Sequence, residues 1–278
     1  MICWIFPGQP ITFADMPSND TEFREIALLC RETTGFNPLE SGSSTSTLKE
    51  SVRLQLLGAC ISLSRFNHLA RQGIGPDLIA EHSMGIYPAL AASGSIDIAT
   101  ALALTCRIGS SMALMGTKME YSMGCVIGLT FGSLKAIASN KGIHIANLNT
   151  SRHFLLSGER LRVDSAMHEA MASGAYSVRI FPCDAPLHTP LMEEIAGELH
   201  RIVGEYSYSE PVKPLINHIN QKVLTAATIP GFLVAELFLP VYWERTYREL
   251  KLRGATHFQE MGVGSTLSKF NRWIDSET

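Results

Sequence analysis

The sequence has no CxxC pair, no HExxH or HxxEH run and no clustered Cys/His spacing, so no metal site is expected. It has no GxGxxG and no glycine-rich loop ending in lysine, which removes two common ways of cradling a nucleotide phosphate. Only 18% of its 278 residues are charged, the net charge is -3 and there is no basic run, so nucleic acid is not an expected partner. No stretch approaches the ~18 unbroken apolar residues of a membrane span. Internal repeats and low-complexity tails are also missing. The six cysteines (Cys3, Cys30, Cys60, Cys106, Cys125, Cys183) mostly lie inside apolar segments. That fits free thiols in a reducing cytoplasm better than a disulfide framework. Met1 to Phe6 lacks a basic leader and is expected to be a buried first strand rather than a signal peptide.

What is present is apolar: 46% of the residues are hydrophobic, ample for one large core or for one large and one small domain. The central stretch is Glu81-His82-Ser83-Met84-Gly85, between the apolar run 77–80 and a helical run from Ile86 to Ser93. Strand, tight turn, helix is the setting that pushes a serine out over a sheet edge, with the next backbone N–H groups facing whatever it attacks.

The remaining pattern assembles around that turn. Residues 2–6 read as a strand ended by Pro7-Gly8-Gln9-Pro10, with helices over 21–33 and 48–72 separated by a mobile loop, Gly35 to Ser46. A further helix over 98–115 has Asp97 as its N-cap. From Lys118 the order becomes βαββαβ, that of a ferredoxin-like unit, ending at the strand 177–181. After Pro182 the sequence continues with a helix over 192–204, a strand at 214–218, helices over 230–237 and 243–253, and a last strand at 256–261. The expected fold is α/β: a large domain from 1–117 and 184–278, with a small ferredoxin-like domain, 118–183, inserted in it.

Ser83 as a nucleophile needs a base. His82 is adjacent, but neighbouring side chains on a sharp turn diverge, so it is expected to pack or to orient something nearby. His188, in the proline-bracketed loop Pro186-Leu187-His188-Thr189-Pro190, is the better candidate. His68, His168 and His200 fall on solvated helix faces, and His144, His153 and His257 in or beside strands.

Taken together, several motifs resemble the malonyl-CoA:acyl-carrier-protein transacylase family, which includes the acyltransferase domains of fatty-acid and polyketide synthases. They are Phe6-Pro7-Gly8-Gln9, His82-Ser83-Met84-Gly85 with Tyr87, Asn147-Leu148-Asn149 with Leu156-Ser157-Gly158, Leu187-His188-Thr189-Pro190, Leu239-Pro240-Val241-Tyr242-Trp243 and Glu260-Met261-Gly262-Val263-Gly264. The resemblance implies an α/β-hydrolase-like large domain with a ferredoxin-like insert. It implies that Ser83 attacks a thioester carbonyl, that His188 takes its proton, and that the backbone N–H groups of Gln9 and Met84 hold the oxyanion. A backbone carbonyl near Arg253 would orient His188, and Leu187 and Asn149 would lie beside the acyl site. No permanently bound cofactor is implied. The phosphopantetheine arm of a carrier protein, or CoA, arrives as part of the substrate, and the enzyme is expected to be a cytoplasmic monomer.

The sequence also departs from the family. An ungapped alignment puts Ile108 where the family carries the arginine that forks onto malonyl's carboxylate. Arg107 is one residue earlier, ~100° round the helix. An uncharged acyl group is therefore expected. Glu81, Ile86 and Pro10 replace a glycine, a glutamate and a glycine, and Glu81 is expected to be solvated or to shape the mouth of the site. Hydrolysis of acyl-carrier thioesters, as in the editing branch of polyketide assembly lines, ranks first on these grounds. Acyl transfer to a carrier thiol, malonyl loading and an inactive carrier-binding homologue follow. Arg65, Arg71, Arg107, Lys135, Arg152, Arg245, Arg248, Lys251 and Arg253 are expected to offer positive surface to an acidic carrier.

Overall fold

The computed structural model describes residues 1–8, 11–40 and 46–277. Gln9, Pro10 and 41–45 of the expected loop lie outside them. The strands are β1 (Ile2–Phe6), β2 (Leu78–Glu81), β3 (Tyr121–Ile127), β4 (His144–Thr150), β5 (His153–Glu159), β6 (Ser177–Cys183), β7 (Leu215–Ile216) and β8 (His257–Glu260). The α-helices are α1 (Thr21–Thr34), α2 (Glu50–Arg71), α3 (Ile86–Ala92), α4 (Ile98–Met115), α5 (Phe131–Lys141), α6 (Arg160–Ala172), α7 (Ala196–Gly204), α8 (Ile229–Ala235), α9 (Trp243–Leu252) and α10 (Thr266–Ser276).

A parallel sheet in the order β7-β2-β1-β8 carries the site. Side chains alternate across β1, so Trp4 and Phe6 join the core formed with α2 and α4, while Cys3 and Ile5 meet Trp243, Tyr247 and Leu250 on the other face. Two covered faces explain why these strands read as unbroken apolar runs. α4 is as long and apolar as a membrane-crossing helix, yet it packs against α1, α2, α3 and α7. Its N-cap is Asp97, whose carboxylate accepts from the Thr100 N–H at 2.6 Å.

The second sheet is antiparallel in the order β4-β5-β3-β6, with α5 and α6 packed over a separate core of Val126, Leu134, Phe154, Leu156 and Val163. That is the ferredoxin-like order, within the 118–183 span that we propose as the small domain. Backbone bonds from Leu148 N–H to Val241 O (2.8 Å) and from Val241 N–H to Ala146 O (2.9 Å) tie this sheet to the segment before α9.

Two expected elements differ. β7 covers only two residues, so Asn217 and His218 lie in the turn after it. The helix expected from Met192 begins as a 3-10 turn, Pro190–Ile195, before α7. Pro190 opens that turn, at a first position where a missing N–H costs no helical bond.

Candidate active site

β2 runs straight into the turn at Ser83, whose φ is 55°. His188 has φ 59°, and Gln221 is the other described non-glycine residue with a positive φ. Left-handed backbone at a non-glycine residue costs ~1–3 kcal/mol and persists where the surroundings hold it. At Ser83 the constraint is visible: a Cβ on Gly85 would lie 2.2 Å from Phe6 O, and one on Gly8 would lie 2.8 Å from His82 O. Two glycines thus let the end of β1 press against the turn.

Ser83 Oγ lies 2.7 Å from His188 Nε2. His188 Nδ1 lies 2.7 Å from the Glu236 carbonyl oxygen, which can only accept, so Nδ1 carries the hydrogen and Nε2 is left to take the hydroxyl proton. The backbone N–H of His188 donates to Leu237 O at 2.8 Å. The carbonyls just beyond α8 therefore hold both the ring and its backbone, at the end of a helix that favours a cation. Burial, then His218, pulls the His188 pKa down to about 3, so the imidazole is neutral at neutral pH. Arg253 has no part in this. It caps α9 and pairs its guanidinium with Glu249, and the orienting carbonyl is that of Glu236.

His82 turns away from the serine, as expected. Its Nε2 bonds Asn149 Oδ1 at 2.9 Å, and Asn149 Nδ2 bonds His153 Nδ1 at 3.1 Å. Asn149 thus links the small sheet to the nucleophile turn. Met84 follows Ser83 in a short 3-10 turn, and Gln9 lies outside the described residues.

A pocket of about 80 Å³ beside Ser83 and His188 is lined by Gln55, Tyr87, Met112, Met123, Leu155 and Leu187 among others, and by Glu236. It adjoins a cleft of about 730 Å³ between the two sheets, to which Asn149, Arg152 and Lys269 contribute. Ile108 lines neither. It is fully buried in the large core, and the pocket is reached instead by Met112, one turn on. Gly109, at the adjacent position, would place a Cβ 2.9 Å from Gln55 Oε1. Arg107 faces outward, bonding Glu205 at 2.6 Å and the Tyr206 hydroxyl at 3.2 Å. Among the described residues, no lysine or arginine lines the small pocket. Arg107→Ala is therefore expected to leave the ranking of acyl donors unchanged and to cost no more than ~1 kcal/mol, as for other surface pairs. Thermal melting and a competition between acyl donors check this.

Glu81 is not solvated. It is fully buried, and its carboxylate lies 2.7 and 2.9 Å from His218 Nδ1 and accepts the His218 backbone N–H at 3.0 Å. His218 and Glu236 carry no distinguishing signal in the sequence, because each sits at the end of an apolar segment. One nitrogen each of His188 and His218 and one Glu236 oxygen lie within 4.8 Å of one another. Both His188 nitrogens are already committed, to Ser83 and to Glu236 O, so these donors do not converge on an ion without breaking one of those two bonds.

Of the basic residues expected to face a carrier, Arg71, Arg107, Arg248, Lys251 and Arg253 are paired with Glu25, Glu205, Glu244, Asp275 and Glu249. Arg152 is at the cleft.

No family model matches the chain. A malonyl CoA-acyl carrier protein transacylase of Staphylococcus aureus is 26% identical, covering 96% of this chain and 92% of that protein. The structure of the malonyl CoA-acyl carrier protein transacylase of Coxiella burnetii superposes with a TM-score of 0.90 at 24% identity, covering 100% of this chain and 92% of that one. A malonyl-transacylase in complex with its type II polyketide synthase acyl-carrier protein superposes with a TM-score of 0.89 at 24% identity, covering 99% and 93%. The chain resembles the malonyl-CoA:acyl-carrier-protein transacylase family, in sequence over nearly its whole length and in the pairing of a large α/β domain with a small ferredoxin-like one.

Proposed function

We propose that this protein is a serine acyltransferase that moves an acyl group from a thioester to the phosphopantetheine thiol of an acyl carrier protein, through an acyl-enzyme on Ser83. The observation that carries this reading is the 2.7 Å contact from Ser83 Oγ to His188 Nε2, with Nδ1 anchored on Glu236 O. Ser83 Oγ attacks the thioester carbonyl carbon as its proton passes to Nε2. The N–H of Met84 receives the oxyanion, such a donor being worth ~3 kcal/mol of barrier. Collapse expels the thiol, which takes the proton back from His188. The carrier thiol then attacks the acyl-serine by the same steps in reverse. No step needs a resident cofactor, and a cytoplasmic setting suits it.

The relatives, transacylases by name, support transfer over the hydrolysis that the sequence ranked first. For the acyl group we propose an uncharged one. The small pocket offers neutral side chains and one carboxyl, Glu236, and no cation among the described residues. A malonyl carboxylate there is desolvated and unpaired, a loss of several kcal/mol. Acetyl and butyryl are expected to outpace malonyl in transfer to carrier protein by roughly 100-fold, or ~3 kcal/mol. Competition among the three CoA thioesters, read by the mass of the carrier, tests this. Preferred malonyl transfer would overturn the uncharged-acyl reading. Release of free acid with the carrier left unloaded would restore hydrolysis.

A further inference from the structure

Behind His188 lies a group of buried ionisable side chains that the transfer mechanism leaves idle. Glu236 is 1% exposed, and its Oε2 has no hydrogen-bond partner among the described residues. That oxygen lies 3.9 Å from His188 Nδ1, the nitrogen whose hydrogen the same residue's carbonyl accepts. His218 stands edge-on to His188, ring centroids 6.0 Å apart, with Nε2 also unpartnered. Glu81 holds His218 from the far side through Nδ1 and the backbone N–H.

We propose that the Glu236 carboxylate is the counter-ion for the His188 imidazolium, and that the Glu81–His218 pair fixes it in place. All three are then positioning residues for Ser83. The inference rests on Ser83–His188 chemistry.

A buried carboxyl oxygen without a partner is costly to maintain. It gains a partner only when His188 holds the serine proton, for then a positive ring lies beside it in a medium that screens poorly. Stabilisation that appears with the developing charge lowers the barrier rather than the ground state. Glu81 and His218 account for the rest. Burial pushes the Glu81 carboxyl up and the His218 imidazole down to about 3, and the two share one proton across the 2.7 Å contact at Nδ1. Nε2 then bears the ring hydrogen, which leaves a donor on His218 and an acceptor on Glu236 in one cluster.

The pH dependence follows with a definite sign. The groups facing Glu236 and His188 are His218, Glu81 on β2, His82 in the turn and Tyr87 on α3. Burial, then Glu81, raises the Glu236 carboxyl well above the usual carboxylate range. His188, pulled down, is already neutral there. The counter-ion is present above the raised Glu236 pKa and is lost as pH falls through it, so Glu236 sets the acid limb of Ser83 reactivity.

The test is the rate of Ser83 modification by a fluorophosphonate on the full chain, from about pH 4 to about pH 9, which needs no knowledge of the acyl group. Glu236→Gln keeps shape and backbone carbonyl. It is expected to lower the plateau by ~10- to 100-fold and to remove the acid limb, while Glu236→Asp retains the limb. A Glu236→Gln rate within about twofold of wild type with the same limb overturns the proposal. If Glu236→Gln shows no cooperative melt, His218→Phe, which keeps a ring beside His188 and removes the Nε2 donor, decides. It is expected to shift the limb, and an unshifted limb overturns the role of the pair. Failure of the wild type to label at Ser83 would instead sink the acyltransferase reading.

Discussion

Ser83→Ala is expected to abolish the acyl-enzyme and to cut acyl transfer by at least ~10⁴-fold while the protein still folds. The hydroxyl is the only part removed, and it is the group 2.7 Å from a base whose other nitrogen is anchored. His188→Ala is expected to cost about as much, because neither group works without the other. The double variant should then be no worse than either single one. Intact mass after mixing with acetyl-CoA reads the acyl-enzyme, and carrier loading reads transfer. An acyl adduct persisting on Ser83→Ala would place the nucleophile elsewhere. The strain at φ 55° is borne by alanine as by serine, so melting should move little.

Gly85→Ala is expected to cost more than ~3 kcal/mol and to lower the melting temperature by at least ~6 °C, or to prevent folding. Its Cβ would fall 2.2 Å from Phe6 O and 2.7 Å from Phe6 C. Those atoms cannot retreat cheaply. Phe6 O accepts the His82 N–H at 2.9 Å, and Phe6 is in register with Glu81. Any shift opens β1 from β2 and moves Ser83 with it. Gly231→Ala is the matched control, since a Cβ there has nothing within 4 Å and the residue lies in α8, where alanine is the better helix former, so it should melt no lower than wild type. Equal melting of the two would show that the turn yields more easily than its packing implies.

Much of this site was legible in the residues. Ser83 stands out because strand, turn and helix follow one another within a few residues, and such order is written in local apolar spacing and turn residues. His188 stands out because prolines bracket it. The βαββαβ order needs only alternating periods of two and 3.6. The carbonyl that orients His188 is not legible in the sequence, because every residue has one and it leaves no mark there. Alignment alone puts Ile108 at the pocket, because it carries no information on local helix phase. In the folded protein α4 turns that residue into the core and offers Met112 to the pocket, with Gln55 coming from α2. Glu81 looked solvated because a carboxylate at the end of a strand usually is. Its partner, His218, comes from the turn after β7, 137 residues later in the chain.

Local patterning alone marks the strands of both sheets, the serine on its turn and the proline-bracketed histidine. Those depend on periodicity and on turn chemistry, which act between near neighbours. Which carbonyl holds His188, which side chains line the pocket beside Ser83, and that two carboxyls lie buried behind His188 emerge only from the folded chain. Each of those depends on which distant groups share a space without water, and there a lost hydration shell and one oxygen 3.9 Å from a nitrogen outweigh any local preference.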